Sequence, residues 1–168
     1  MFTLAHLTDL HLGPLPKGAA RKHFALKRTI GALNWRLSRH KVHDPAVATA
    51  IAQDIIQAAP DHVALTGDIV NVAAHAEFPA AALWLQAFGE PDWISLVPGN
   101  HDTYVRCDWR HGLEHLGAYM TGDMKVKSTQ STRQIDTPFP YVRLRRNVAL
   151  IGVSSAVPQP LYRAAGIL

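Results

Sequence analysis

The sequence predicts an α/β fold built around a parallel sheet. Three observations carry that reading. Three short apolar runs, Phe2–Leu7, His62–Leu65 and Trp93–Val97, have the length and composition of buried strands. Helical patterns lie between them, the order that joins parallel strands. Each run hands its end to a polar cluster: Thr8-Asp9-Leu10-His11, Thr66-Gly67-Asp68 and Gly99-Asn100-His101-Asp102. Open α/β sheets bind ligands outside the carboxyl ends of their strands, so these clusters are expected at one edge of the sheet.

In chain order, Phe2–Leu7 is the first strand, and His6 within it reads as a histidine satisfied by the fold. Leu12–Gly18, with Pro14 and Pro16, is a loop. Ala19 to about His40 reads as a helix, because Leu26, Ile30, Leu33 and Leu37 recur at helical spacing. Gly31 weakens its middle. Between Leu10 and His43 there is no acidic residue, while Lys17, Arg21, Lys22, Lys27, Arg28, Arg36, Arg39 and Lys41 are all there. The simplest reading is a packed helix with a solvated basic face and Trp35 near it. The stretch Lys17–Lys41 also suits an anionic partner, whether a phosphorylated substrate, a membrane surface or nucleic acid.

Asp44-Pro45 pairs an N-cap with a proline at the first helical position. Val47, Ile51 and Ile55 continue that helix as an apolar stripe to about Ala59, and Pro60-Asp61 ends it. His62–Leu65 is the second strand. His75–Phe88 is a third helix carrying Phe78, Leu83 and Trp84, with Pro79 in its first turn. After Trp93–Val97, Pro98 stops the strand and Gly99 permits a sharp turn. A helical piece is expected over about Asp108–Leu116. His111 and His115 would share a face there, most simply as surface histidines. Gly117–Pro140 is polar and irregular, a segment expected to cover the site or meet substrate. Tyr141–Leu144 and Val148–Val153 flank Arg145-Arg146-Asn147 as a hairpin, and Ser154–Leu168 leaves the sheet.

At 168 residues, 48% hydrophobic and 18% charged, the chain reads as one domain of ordinary globular composition. The single cysteine, Cys107, excludes an internal disulfide framework and fits a reducing compartment. No signal peptide and no bilayer-spanning run is visible. The expected location is cytoplasmic, or peripheral to the inner membrane.

Asp9-Leu10-His11, Gly67-Asp68 and Gly99-Asn100-His101-Asp102 resemble, in order and spacing, the first three signature blocks of the calcineurin-like metallophosphoesterases. The resemblance runs the length of the chain. It implies two mixed sheets packed face to face with helices outside, a four-layer αββα sandwich. Residues 1–168 would be a single incomplete domain holding the first sheet and the start of the second. It further implies hydrolysis of a phosphodiester or phosphomonoester by a metal-activated water. Two metal ions about 3.5–4 Å apart neutralise the phosphoryl oxygens and lower the pKa of bound water. By the same resemblance Asp68 bridges both ions, Asp9 and His11 hold the first, and Asn100 holds the second. His101 stands near the leaving group as general acid or charge stabiliser, and Asp102 orients its ring. Such mixed oxygen and nitrogen ligands suit manganese, iron or zinc, and the choice stays open.

The family pattern continues with a further His and a Gly-His-x-His block, neither recognisable in these residues. The 168-residue chain alone is therefore expected to be a weak or inactive hydrolase. Two other readings compete: a non-catalytic scaffold on this fold, and a DNA nuclease of the same fold. The intact early ligands count against the first. The lack of an aromatic-and-basic stacking platform counts against the second, so nucleic acid is not the expected partner.

Overall fold

The structure is a computed structural model that describes residues 1–16, 26–123, 138–161 and 163–167. β1 (Leu4–Leu7), β2 (His62–Leu65) and β3 (Ile94–Leu96) form a parallel sheet in the order β1-β2-β3. Ala5 lies opposite Val63 and Leu65 opposite Leu96. The strands are shorter than the apolar runs that predicted them, although Val97 still donates its N–H to the Leu65 carbonyl at 3.0 Å. β2 is central, and His62, Val63 and Leu65 are all buried, as a strand covered on both faces requires. His62 resides in the core by bonding the Ser95 hydroxyl through Nε2 at 2.8 Å. Burial, helped by Arg145 and Arg143, pushes its pKa down to about 4, so it is neutral at pH 7. His6 likewise bonds Thr66 Oγ1 across the strands, at 2.7 Å.

α3 (Glu77–Phe88) covers the sheet through Phe78, Ala81, Leu85 and Phe88, which share one face at helical spacing. Leu83 is on the other face and exposed, and Trp84 is half-buried. Pro79 does sit in the first turn. β4 (Tyr141–Arg145) and β5 (Val148–Gly152) form the predicted antiparallel hairpin. Its inward residues seat it on the first sheet: the Tyr141 hydroxyl donates to the Leu96 carbonyl at 2.9 Å. The buried Arg143 guanidinium donates to the carbonyls of Thr121, Pro91, Ile94 and Ala118. Five N–H groups in a rigid fork suit such a cluster of carbonyls.

Two helices do not bury the face that their apolar periodicity suggests. α2 (Pro45–Ala58) begins as predicted, with Asp44 accepting from the Ala46 N–H at 2.8 Å. Its buried residues are Ala48 and Ala52, while Val47 and Ile51 are exposed and Ile55 is half-buried. Small alanines allow close approach to the core, which leaves the larger side chains outside. α1 (Leu26–Leu37) buries Ala32 and Arg28. Arg28 donates to the carbonyls of Val72 and Ala73, at 3.3 and 2.7 Å. The predicted stripe is thereby turned out: Leu33 is 57% and Leu37 67% exposed, and Ile30 is half-buried. Trp35 packs near Gly13, where a Cβ would lie 3.0 Å from its ring.

The expected helix around Asp108–Leu116 is instead two 3-10 segments, Trp109–His111 and Leu113–Met120, broken at Gly112. A 3-10 helix eclipses residues three apart, so His111 and His115 lose the shared face that α-helical spacing gives them. The His111 ring stacks on His75, with centroids 5.4 Å apart. The second segment buries Leu116, Tyr119 and Met120, so the region after Gly117 starts as ordered core. Residues 124–137 of that predicted covering loop and residues 17–25 of the basic stretch lie outside the described residues.

Candidate metal centre

Beyond β1 and β2 the two chain segments stay bonded to each other. Asp9 N–H donates to Gly67 O at 3.1 Å, His11 N–H to Asp68 O at 2.8 Å and Leu12 N–H to Ile69 O at 2.8 Å. Extended geometry would turn Asp9 and His11 to the same side, but the backbone reaches the same result by another route. Asp9, His11 and Asp68 all adopt left-handed angles, with φ of 57°, 44° and 54°. A non-glycine residue there is strained by about 1–3 kcal/mol, and such residues cluster at functional sites. Three strained residues in one place are three of the four, with Asn100, that sequence reasoning assigned to metal.

The loop after β3 closes on the same point. A Cβ on Gly67 would lie 2.2 Å from Gly99 N, and one on Gly99 would lie 2.2 Å from Asp68 Oδ1. Only glycine at both positions lets the two strand-end loops touch. The His101 N–H then donates to Asp68 Oδ1 at 2.7 Å. Asp68 Oδ2 faces His11 Nε2 at 3.9 Å, and Asp9 Oδ1 lies 3.8 Å from the same nitrogen. Ligand atoms of His11, Asp68 and His101 lie within 4.8 Å of one another. Two imidazoles and a carboxylate at that separation fit a divalent transition metal. Asp9 stands at the rim with its side chain 58% exposed, and Asn100 is exposed on the turn between Gly99 and His101.

The His101 ring is held on two sides. Its Nδ1–H donates to the Asn71 carbonyl, an atom that can only accept. That bond fixes the tautomer and leaves the lone pair of the neutral ring on Nε2. Tyr104 stacks against the ring at 5.2 Å and 18°, and Lys27 Nζ sits 4.1 Å over the Tyr104 ring. The orienting part that the resemblance implied for Asp102 is thus served by a backbone carbonyl. Asp102 acts on the loops. Its Oδ1 accepts from Ile69 and Val70 N–H at 2.9 and 3.0 Å, and its Oδ2 from Asp68 and Gly99 N–H, both at 2.8 Å. Burial pushes this carboxyl up to about 7 against the pull of those N–H groups. Two donors on each oxygen leave no place for a proton, so the bonded form is the carboxylate.

Sequence reasoning missed three residues here. Glu77 accepts from the N–H groups of Asn71, Val72 and Ala74 at 2.8, 3.1 and 2.8 Å, completing the grip on the loop after Asp68. Burial raises its pKa while those bonds lower it. Asn71, fully buried, supplies the carbonyl for His101 and donates through Nδ2 to Leu12 O at 2.9 Å. His43, between α1 and α2, brings its ring centroid to 4.4 Å from that of His11. A polar residue at the start of a helix was the one available signal for Glu77. The other two carry none.

A separate pocket of about 650 Å³ lies behind the His101 loop, with Asp102, Thr103, Val105, Trp109 and Phe139 in its wall. It is largely apolar, and none of His11, Asp68 and His101 lines it. Cys107, half-buried in the same wall, has its thiol pKa raised by burial. The candidate ligands lie at the strand ends instead.

The sequence model described as calcineurin-like phosphoesterase matches residues 2–146. A search among curated proteins returns no match.

Proposed function

Because this chain belongs to the calcineurin-like phosphoesterase family, we propose that it hydrolyses a phosphodiester or phosphomonoester at the strand-end cluster. The observation that carries the reading is the convergence of His11, Asp68 and His101 within 4.8 Å at three consecutive strand ends. Asp9, His11 and Asp68 would hold one ion, and Asp68 with Asn100 a second. Bound there, manganese, iron or zinc supplies Lewis-acid charge for the phosphoryl oxygens and acidifies water.

The chain's own groups account for the rest. The Asp102 and Glu77 carboxylates lock the loop after β2, so Asp68 is presented at a fixed angle. With Nδ1 committed to Asn71, His101 exchanges its proton at Nε2, the atom left to meet a leaving oxygen. The Tyr104 stack restrains the plane of that ring.

The test is hydrolysis of bis-nitrophenyl phosphate after chelation and after manganese is returned. Activity should vanish and then recover. The rate from residues 1–168 is expected to be low, since the further histidines of the family pattern are not among them. His101→Ala should lower turnover by about 10²–10⁴-fold on esters with poor leaving groups and by less on nitrophenyl esters. Metal-independent hydrolysis, or an equal loss on both kinds of ester, would overturn the assignment.

A further inference from the structure

We propose that the outward corner formed by α1, the turn after it and the start of α2 is a docking surface for an anionic lipid bilayer. Four observations place it there. The apolar residues of α1 are outside because Arg28 and Ala32 take the inner face, leaving Leu33 and Leu37 57% and 67% exposed. The chain then continues through Val42, 74% exposed, to Val47, 55% exposed. Exposed Arg36 and Lys41 are interleaved with these apolar side chains. No acidic residue occurs from Leu10 to His43 to oppose an anionic surface.

Exposed leucines and valines with cations between them match the boundary between acyl chains and anionic headgroups. A protein partner would equally cover the leucines, but exposed Arg36 and Lys41 outnumber the one exposed acid of the corner, Asp44, and that excess favours an anionic surface. Lys27 and Trp35 take no part. Lys27 Nζ is committed inward to the carbonyls of Tyr104 and Gln159, both at 2.9 Å, and Trp35 packs by Gly13. No helix among the described residues is long and apolar enough to cross a membrane, so the contact is peripheral. The corner borders the metal centre, because His43, directly after Val42, meets the His11 ring at 4.4 Å. Docked there, the protein would present its strand ends to a lipid-borne phosphoester. That last step rests on the hydrolytic reading, whereas the docking does not.

The experiment is co-sedimentation of the whole chain with vesicles of phosphatidylcholine alone or mixed with phosphatidylglycerol. The wild type should pellet with the mixed vesicles, less at high salt, and weakly with phosphatidylcholine. The double variant Leu33→Glu/Leu37→Glu should lose at least about tenfold in vesicle affinity, because each glutamate replaces a membrane-facing apolar side chain with an anion. Its circular dichroism and melting temperature should be unchanged, since both positions face outward. Equal binding by wild type and variant, or no binding to the mixed vesicles, overturns the proposal. So does sedimentation velocity showing a wild-type dimer that the variant dissociates, which would assign the corner to a second copy. No docking by the wild type, with its metal-dependent hydrolysis intact, would reject this surface and leave the proposed activity standing.

Discussion

Asp68→Asn should reduce phosphoester hydrolysis by more than about 10³-fold, since the Lewis-acid charge held at this carboxylate is worth several kcal/mol in the transition state. The substitution is close to isosteric, and its effects on fold and on chemistry separate. An asparagine oxygen can still accept from the His101 N–H, so the contact between the two strand-end loops survives. The atom that changes faces His11 Nε2 at 3.9 Å, and there an NH₂ group replaces a negative oxygen. It would repel a cation rather than bind it. If Asp68 serves two ions, metal content should fall by more than one ion's share, with the melting temperature nearly unchanged. Elemental analysis beside the activity assay checks this. Unaltered metal stoichiometry would remove Asp68 from the bridging position.

Asp102→Ala should cost about 3–5 kcal/mol of stability, the range for removing one side of a buried charged network. Four backbone N–H groups, on Asp68, Ile69, Val70 and Gly99, would lose their common acceptor. None can reach water easily, because Asp102 is 2% exposed and Ile69 and Val70 are buried around it. Single domains are stable by only about 5–15 kcal/mol, so the variant would approach the edge of folding. Asp102→Asn keeps one oxygen and turns an NH₂ towards two of the donors, so it should fall between wild type and alanine. Chemical denaturation of the three proteins measures the order. Equal midpoints would show that Asp102 does not hold these loops.

The parts of the fold that sequence made legible are those specified locally. The strand-end clusters were readable because chemistry and turn residues sit together, as in Gly99-Asn100-His101-Asp102. The start of α2 was readable because Asp44 and Pro45 act within one helical turn. The faces of α1 and α2 were not. Periodicity says which residues share a side of a helix, and tertiary partners decide which side turns in. Arg28 is drawn inward by carbonyls 44 and 45 residues away, a fact no local pattern carries. Asn71, Glu77 and His43 escaped notice for the same reason: each matters through what the folded chain places beside it. At Asp9 and His11 the pairing was foreseen but its cause was different, because left-handed turns replaced extended backbone.

The central claim is that three strand ends meet at one metal centre, where His11 and Asp68 hold the ion and His101 stands beside it. Manganese binding to the chelator-treated chain, followed by the paramagnetic signal of the free ion, tests it most directly. The wild type should take up manganese, and the double variant His11→Ala/Asp68→Asn should bind it at least about 100-fold more weakly, a loss no smaller than that for removing a partner of a ligand. Wild-type affinity in the double variant would contradict the claim and place the metal elsewhere.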